Sequence, residues 1–220
     1  MSAATAAINT NPFPGLRPFR EDEEHLFFGR ENQVDAMVDK LAETHFLAVV
    51  GTSGSGKSSL VNCGLRPALH QGLMARAGTA WRMAQFRPGT EPIGAMARAL
   101  AQEGVLFREH AAAGLSLAEI VETSLRMSKL GLIDIVEQAA LDEGVKLLLV
   151  VDQFEELFRY RQLQAAGHGG GISAEAAAFV NLLLEVKERA NCPVYVVLTM
   201  RSDFLGDCTH FPGLAEAINA

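Results

Sequence analysis

Between an apolar run, His45 to Val50 (HFLAVV), and a second one, Ser59 to Leu65 (SLVNCGL), lies Gly51-Thr-Ser-Gly-Ser-Gly56-Lys57-Ser58, with the spacing G-x-x-x-x-G-K-[ST]. Glycine reaches φ > 0 without steric cost, so such a segment can curl with several backbone N–H groups pointing inward. Those amides form a concave anion nest. Lys57 then supplies a mobile charge for β and γ phosphates, the Ser58 hydroxyl is placed to ligand Mg²⁺, and the helix beginning here presents its positive dipole end. Gly51, Thr52, Ser53, Gly54, Ser55, Gly56, Lys57, Ser58 and Ser59 are therefore the expected phosphate contacts of a nucleotide-binding chain. The flanks suit the loop. HFLAVV reads as a parallel strand buried on both faces, and SLVNCGL as a helix that Arg66-Pro67 breaks.

Three further strands follow at Ala80–Phe86 (AWRMAQF), Val145–Val151 (VKLLLVV) and Val194–Thr199 (VYVVLT), with Met200 to Asp203 as the turn after the last. Helical periodicity recurs between them. Val34, Met37, Val38 and Leu41 share one face before the first strand, and Ile93, Met96, Ala97 and Leu100 share another after Pro92. Ser116-Leu-Ala-Glu119 is a capping box, Leu132 to Ala140 forms a helix closed by Gly144, and Ala174–Ala190 forms one ended by Asn191 and Pro193. Strands alternating with helices give an α/β fold, a three-layer, mostly parallel sheet with right-handed crossovers, whose ligands sit beyond the strands' carboxyl ends. Residues 1–10 are expected to be a disordered tail. Residues 11–44 form an arm and helix, with Pro12, Pro14 and Pro18 keeping the arm extended, and 45–220 form the nucleotide-binding core. Gly169 to Gly171 lie in a glycine-rich loop, HGGGIS.

With 49% hydrophobic and 20% charged residues over 220 positions, the chain is globular in class. A net charge of −7 argues against direct nucleic-acid binding, which needs clustered Lys and Arg. Cys63, Cys192 and Cys208 have no metal-type spacing and read as reduced thiols. No apolar run reaches the roughly 20 residues that span a bilayer, and no secretory signal opens the chain, so neither a membrane nor export is expected and the cytoplasm is. The scattered histidines are read as ordinary surface or core side chains.

Two more segments fall at strand ends. Asp152 follows the apolar LLLVV directly and is expected to join Ser58 in holding Mg²⁺. Glu155 and Glu156 come next, either of which could act as the catalytic base on the attacking water. Arg201 ends the fourth strand. If that strand lies between the first and third, its guanidinium reaches the γ phosphate and can sense it.

The phosphate loop, strand-DQFEE and strand-TxR in this order resemble the STAND class of signal-transduction ATPases, AAA-like P-loop proteins of the ASCE type. NPFPGLRPF followed by FFGRE is similar to the amino-terminal signature of the bacterial novel STAND NTPases, and DQFEEL is similar to the NACHT acidic motif. The resemblance implies an ADP/ATP switch with slow Mg²⁺-dependent ATP hydrolysis, controlling self-association of a larger regulatory or defence protein. It also implies base contacts near Pro18, Phe28, Gly29 and Arg30. The chain stops shortly after Phe211 to Leu214, before a fifth strand and helical lid, and so reads as a fragment of a longer protein. Two alternatives stay open: a P-loop kinase acting on a small molecule, and a module that holds ADP with little turnover. A GTPase lacks its N-K-x-D motif here, and a transporter ATPase its LSGGQ.

Overall fold

The computed structural model describes residues 15, 17–107, 116–159, 173–189 and 192–219. The expected tail, the first part of the proline arm and the HGGG segment lie outside them. Four parallel strands make the sheet: β1 (Phe46–Gly51), β2 (Trp81–Phe86), β3 (Lys146–Val151) and β4 (Val194–Arg201), in the order β1-β4-β3-β2. The last strand to form in the chain is thus inserted between the first and third. Register pairs Gly51 with Arg201 and Val151 with both Phe86 and Leu198, so all four carboxyl ends meet at one edge.

Alternation along each strand divides the core. Leu147, Leu149 and Val151 pack with Val196 and Leu198 on one face, while Leu148 and Val150 pack with Tyr195 and Val197 on the other. Because side chains of a strand point to opposite faces in turn, continuous apolar strands need cover on both sides. Helix α1 (Glu31–Thr44) covers the second face together with α2, a helix in three pieces: Lys57–Ser59, π-wound Leu60–Leu65, and Arg66–His70. The first face is covered by α3 (Pro92–Leu100), α4 (Leu117–Met127), α5 (Gly131–Ala139), α6 (Ala174–Lys187) and α7 (Leu214–Asn219). The result is three layers, helix on sheet on helix.

Local signals set most boundaries. Ser116 Oγ accepts from the Glu119 N–H at 3.3 Å while Glu119 Oε2 accepts from the Ser116 N–H at 2.7 Å, which is the capping box that starts α4. Ser173 caps α6 in the same way, accepting from the Ala176 N–H at 3.0 Å.

Several boundaries differ from the sequence reading, the first three strands each starting one residue later than expected. Pro67 does not break α2, because the preceding π winding, in which the Arg66 N–H reaches back to the Val61 carbonyl, widens the turn that the proline ring would otherwise strike. α5 is closed by Ala140, itself left-handed at φ 46°, and Gly144 falls instead in the turn before β3. α6 ends at Lys187, with Glu188 as its cap. β4 continues through Met200 and Arg201, paired with β1 to the last residue.

Gly131, at the start of α5, lies against the backbone of α4: a Cβ there would sit 2.3 Å from the Ser124 carbonyl oxygen and 2.8 Å from Leu125 Cα. Backbone cannot rotate out of the way. Gly131→Ala should therefore lower unfolding free energy by about 2 kcal/mol, read as a reduced urea midpoint with unchanged slope.

Candidate nucleotide site

At the end of β1 the chain turns through Gly54 (φ 74°) and Gly56 (φ 82°), a left-handed conformation costly for any side chain but hydrogen. At Gly51 a Cβ would lie 2.8 Å from Ser55 Oγ, the end of a side chain that can rotate aside. Lys57 folds back across the loop, donating to the carbonyls of Gly51 at 3.0 Å and Thr52 at 2.8 Å.

Beside it lies Asp152, just past β3 and 5% exposed. Its Oδ1 accepts from the Ser58 hydroxyl at 2.8 Å and from the Thr199 hydroxyl at 2.7 Å, tying the phosphate loop and β4 to one carboxylate. Thr199 Oγ1 in turn accepts from the Gln153 N–H at 3.0 Å. Gln153 is left-handed, at φ 56°. A strained residue so placed persists because its neighbours over-determine it: the Asp152 N–H donates to Phe86 O at 2.8 Å and the Phe154 N–H to Thr199 O at 2.9 Å. On the solvent side Arg87 Nε stands 3.5 Å from Asp152 Oδ2.

The two glutamates part company. Glu155 is buried, accepts from the Arg201 N–H at 3.3 Å and lines the cavity over the phosphate loop. Glu156 turns away to accept from the Gly89 N–H at 3.0 Å. The Arg201 guanidinium pairs with Asp203 and lies over the Phe204 ring, 5.8 Å from its centroid. That pairing holds the Asp203 carboxyl below its usual range. Arg201 Nε is buried with no hydrogen-bond partner among the described residues.

These groups surround a cavity of about 550 Å³. Ser53, Gly54, Gly56, Lys57, Ser58 and Ser59 form its floor, Glu155, Thr199 and Arg201 the sheet edge, and Arg87 one rim. The opposite wall is the arm, at Arg17, Pro18 and Phe19. Side chains of α2 fasten it there. The Phe19 N–H donates to Ser59 Oγ at 3.1 Å, Asn62 Nδ2 to Phe19 O at 3.2 Å, Cys63 Sγ to Arg20 O at 2.9 Å, and Arg66 pairs with Glu21 at 2.8 Å. Spacings of three and four put these four residues on one helical face. Burial, then the acids of the turn at Glu21–Leu26, push the Cys63 thiol up to about 11, which keeps it a donor. Arg17 makes a forked pair with Glu23, at 2.7 and 2.5 Å, and its hydrogen bond holds that carboxyl down to about 2.

Measured against the expected site, the structure brings together Ser58, Asp152, Glu155, Arg201 and Pro18, turns the Ser59 hydroxyl to the arm, and takes Glu156 away. Phe28 is 75% exposed. Arg30 lies in a separate hollow it shares with Gly51, Ser55 and Lys57 on the outer side of the loop, and Gly29 lines neither space. Thr199, Gln153 and Arg87 carried no assigned role. Thr199 was visible as the lone polar residue of VYVVLT, and Arg87 as the first residue past a strand's carboxyl end, where ligands of parallel sheets bind.

Ser58 and Asp152 offer a hydroxyl and a carboxylate in mutual contact, hard oxygen groups of the kind that would hold Mg²⁺. Among the described residues no group of three or more His, Cys, Asp and Glu is placed to hold a metal ion. A parallel sheet whose first strand feeds a glycine-rich loop into a helix, with an aspartate and an arginine delivered to the same edge, defines a P-loop nucleotide-binding protein. The model of the family Novel STAND NTPase 1 matches residues 12–220, and the chain belongs to that family. No curated protein and no solved structure matches it. Membership of an NTPase family implies that the chain takes a nucleotide, and among the described residues no helix is long and apolar enough to cross a membrane.

Thr199→Val removes one donor from buried Asp152 and leaves the Gln153 N–H unpaired. The expected cost is about 2 kcal/mol of stability, measured by chemical denaturation, with Thr199→Ser close to the parent.

Proposed function

We propose that the chain is an ATP-binding signal-transduction module, an AAA-like switch of ASCE type in which Mg²⁺-dependent ATP hydrolysis and ADP/ATP exchange govern self-association of a larger regulatory or defence protein. One observation carries the reading: the 2.8 Å bond from Ser58 to Asp152, inside a cavity that also holds Lys57, Glu155 and Arg201. Insertion of β4 between β1 and β3 supports the ASCE assignment. Buried, free Cys63, Cys192 and Cys208 favour a reducing, cytoplasmic setting.

Each side chain has a part. The amides of Gly51 to Gly56 cradle the phosphates, and Lys57 exchanges its two carbonyl partners for phosphate oxygens. Ser58 and Asp152 hold Mg²⁺, which when bound neutralises charge on the β and γ phosphates. Glu155 orients the attacking water and takes its proton, since it lines the cavity while Glu156 is engaged at Gly89. Arg201, adjacent to Gly51 in register and lining the cavity, senses the γ phosphate. The base is assigned to the arm at Pro18, on the wall of the cavity.

Mg-ATP at a hundredfold excess over its dissociation constant should add about 2.7 kcal/mol to stability, and Lys57→Ala should erase that gain in a thermal-shift titration. An unchanged gain in the variant would count against the loop. Glu155→Gln should keep the shift but lower phosphate release by about a hundredfold, with Glu156→Gln near the parent rate. A parent that binds and releases no phosphate would instead be an ADP-holding module.

A further inference from the structure

Arg87 belongs to none of the roles above, although it stands at the rim of the same cavity. Resting on the nucleotide reading, we infer that Arg87 is the exchangeable counter-charge of Asp152: it yields that carboxylate to the divalent cation and then contacts the terminal phosphate of ATP.

The placement follows from the sheet. Phe86 and Val151 are register partners, and the Phe86 carbonyl accepts from the Asp152 N–H at 2.8 Å, so Arg87 and Asp152 leave the sheet side by side. Their pairing is one-pronged and long, Nε to Oδ2 at 3.5 Å, and joins a buried acid to a guanidinium whose side chain is 56% exposed. Such a half-solvated pair is weak and easily exchanged. Arg201 differs, being pinned by Asp203 and covered by Phe204.

The segment carrying Arg87 is anchored. Gly89, left-handed at φ 56°, donates its N–H to Glu156. With the Gln153 amide oriented to satisfy both neighbours, its nitrogen donates to Glu156 Oε1 at 3.2 Å and its oxygen accepts from Arg87 Nη2 at 3.2 Å. Glu156 is thereby a positioning residue for Arg87, which explains why it leaves the cavity.

A divalent cation on Ser58 and Asp152 would face the same carboxylate as Arg87, and two positive groups sharing one anion repel. Metal binding thus releases the guanidinium toward a cavity that then holds a phosphate chain. Its planar fork suits two phosphate oxygens. ATP offers them at the far end of the chain, and ADP lacks that end, so Arg87 links metal uptake to the choice between the two.

Calorimetric titration of the full chain with ADP and with ATP, across a range of Mg²⁺ concentrations, tests this. For Arg87→Ala, half-maximal ADP binding should need roughly threefold less Mg²⁺, because a competitor is gone, while the preference for ATP over ADP should fall about tenfold. Arg87→Lys should restore the parent Mg²⁺ requirement but not the full ATP preference, since an ammonium lacks the fork. An unchanged or raised Mg²⁺ requirement in Arg87→Ala overturns the exchange whatever happens to the preference, and an unchanged ATP-to-ADP ratio overturns the phosphate contact. A parent chain that binds neither nucleotide would sink the underlying nucleotide reading instead.

Discussion

One buried carboxylate organises this molecule. Asp152 accepts from Ser58 and from Thr199 on a single oxygen, so the phosphate loop after β1, the end of β3 and the end of β4 converge on one negative charge. A carboxylate withdrawn from water is stable only when hydrogen-bonded and faced by positive charge. Both hydroxyls and Arg87 meet that need here. The same requirement makes the place suitable for a divalent cation, which supplies more charge in less space.

Around that acid the cations are graded by how firmly they are held. Lys57 rests on neutral carbonyls, Arg87 on a long half-exposed ion pair, and Arg201 on a carboxylate and an aromatic face. Groups held weakly can be re-aimed at small cost, and those held strongly keep their geometry. The chain's overall charge of −7 gives no hint of this local concentration of basic groups.

The arm adds a wall that the sheet alone cannot provide. Ser59, Asn62, Cys63 and Arg66 lie on one face of α2 and each holds arm or turn, so the helix that starts at the phosphate loop also positions the opposite side of the cavity. The π winding of that helix, which lets it continue past Pro67, carries the face to Arg66.

Much was legible in advance because it depends on neighbours in sequence. Glycine spacing specifies a curled anion nest, continuous apolar runs specify strands buried on both faces, and Ser116 with Glu119 specifies a helix start, since each concerns residues within a few positions of one another. The strand alternation also placed Asp152 and Arg201 at carboxyl ends. What local patterns could not reach were the partners chosen across the fold. Glu155 and Glu156 are adjacent and chemically alike, and only the loop after β2, bringing the Gly89 N–H to one of them, sends them to different tasks. Ser59 reads as a phosphate contact until the arm claims its hydroxyl. Arg87 reads as an ordinary strand-end residue until β2 is laid beside β3. The sequence alone determined the anion cradle and the layered sheet, whose causes are backbone freedom and hydrophobic periodicity. The tertiary structure decided which acid faces the cavity and which cation faces Asp152, because those depend on strand order, and strand order joins residues far apart in the chain.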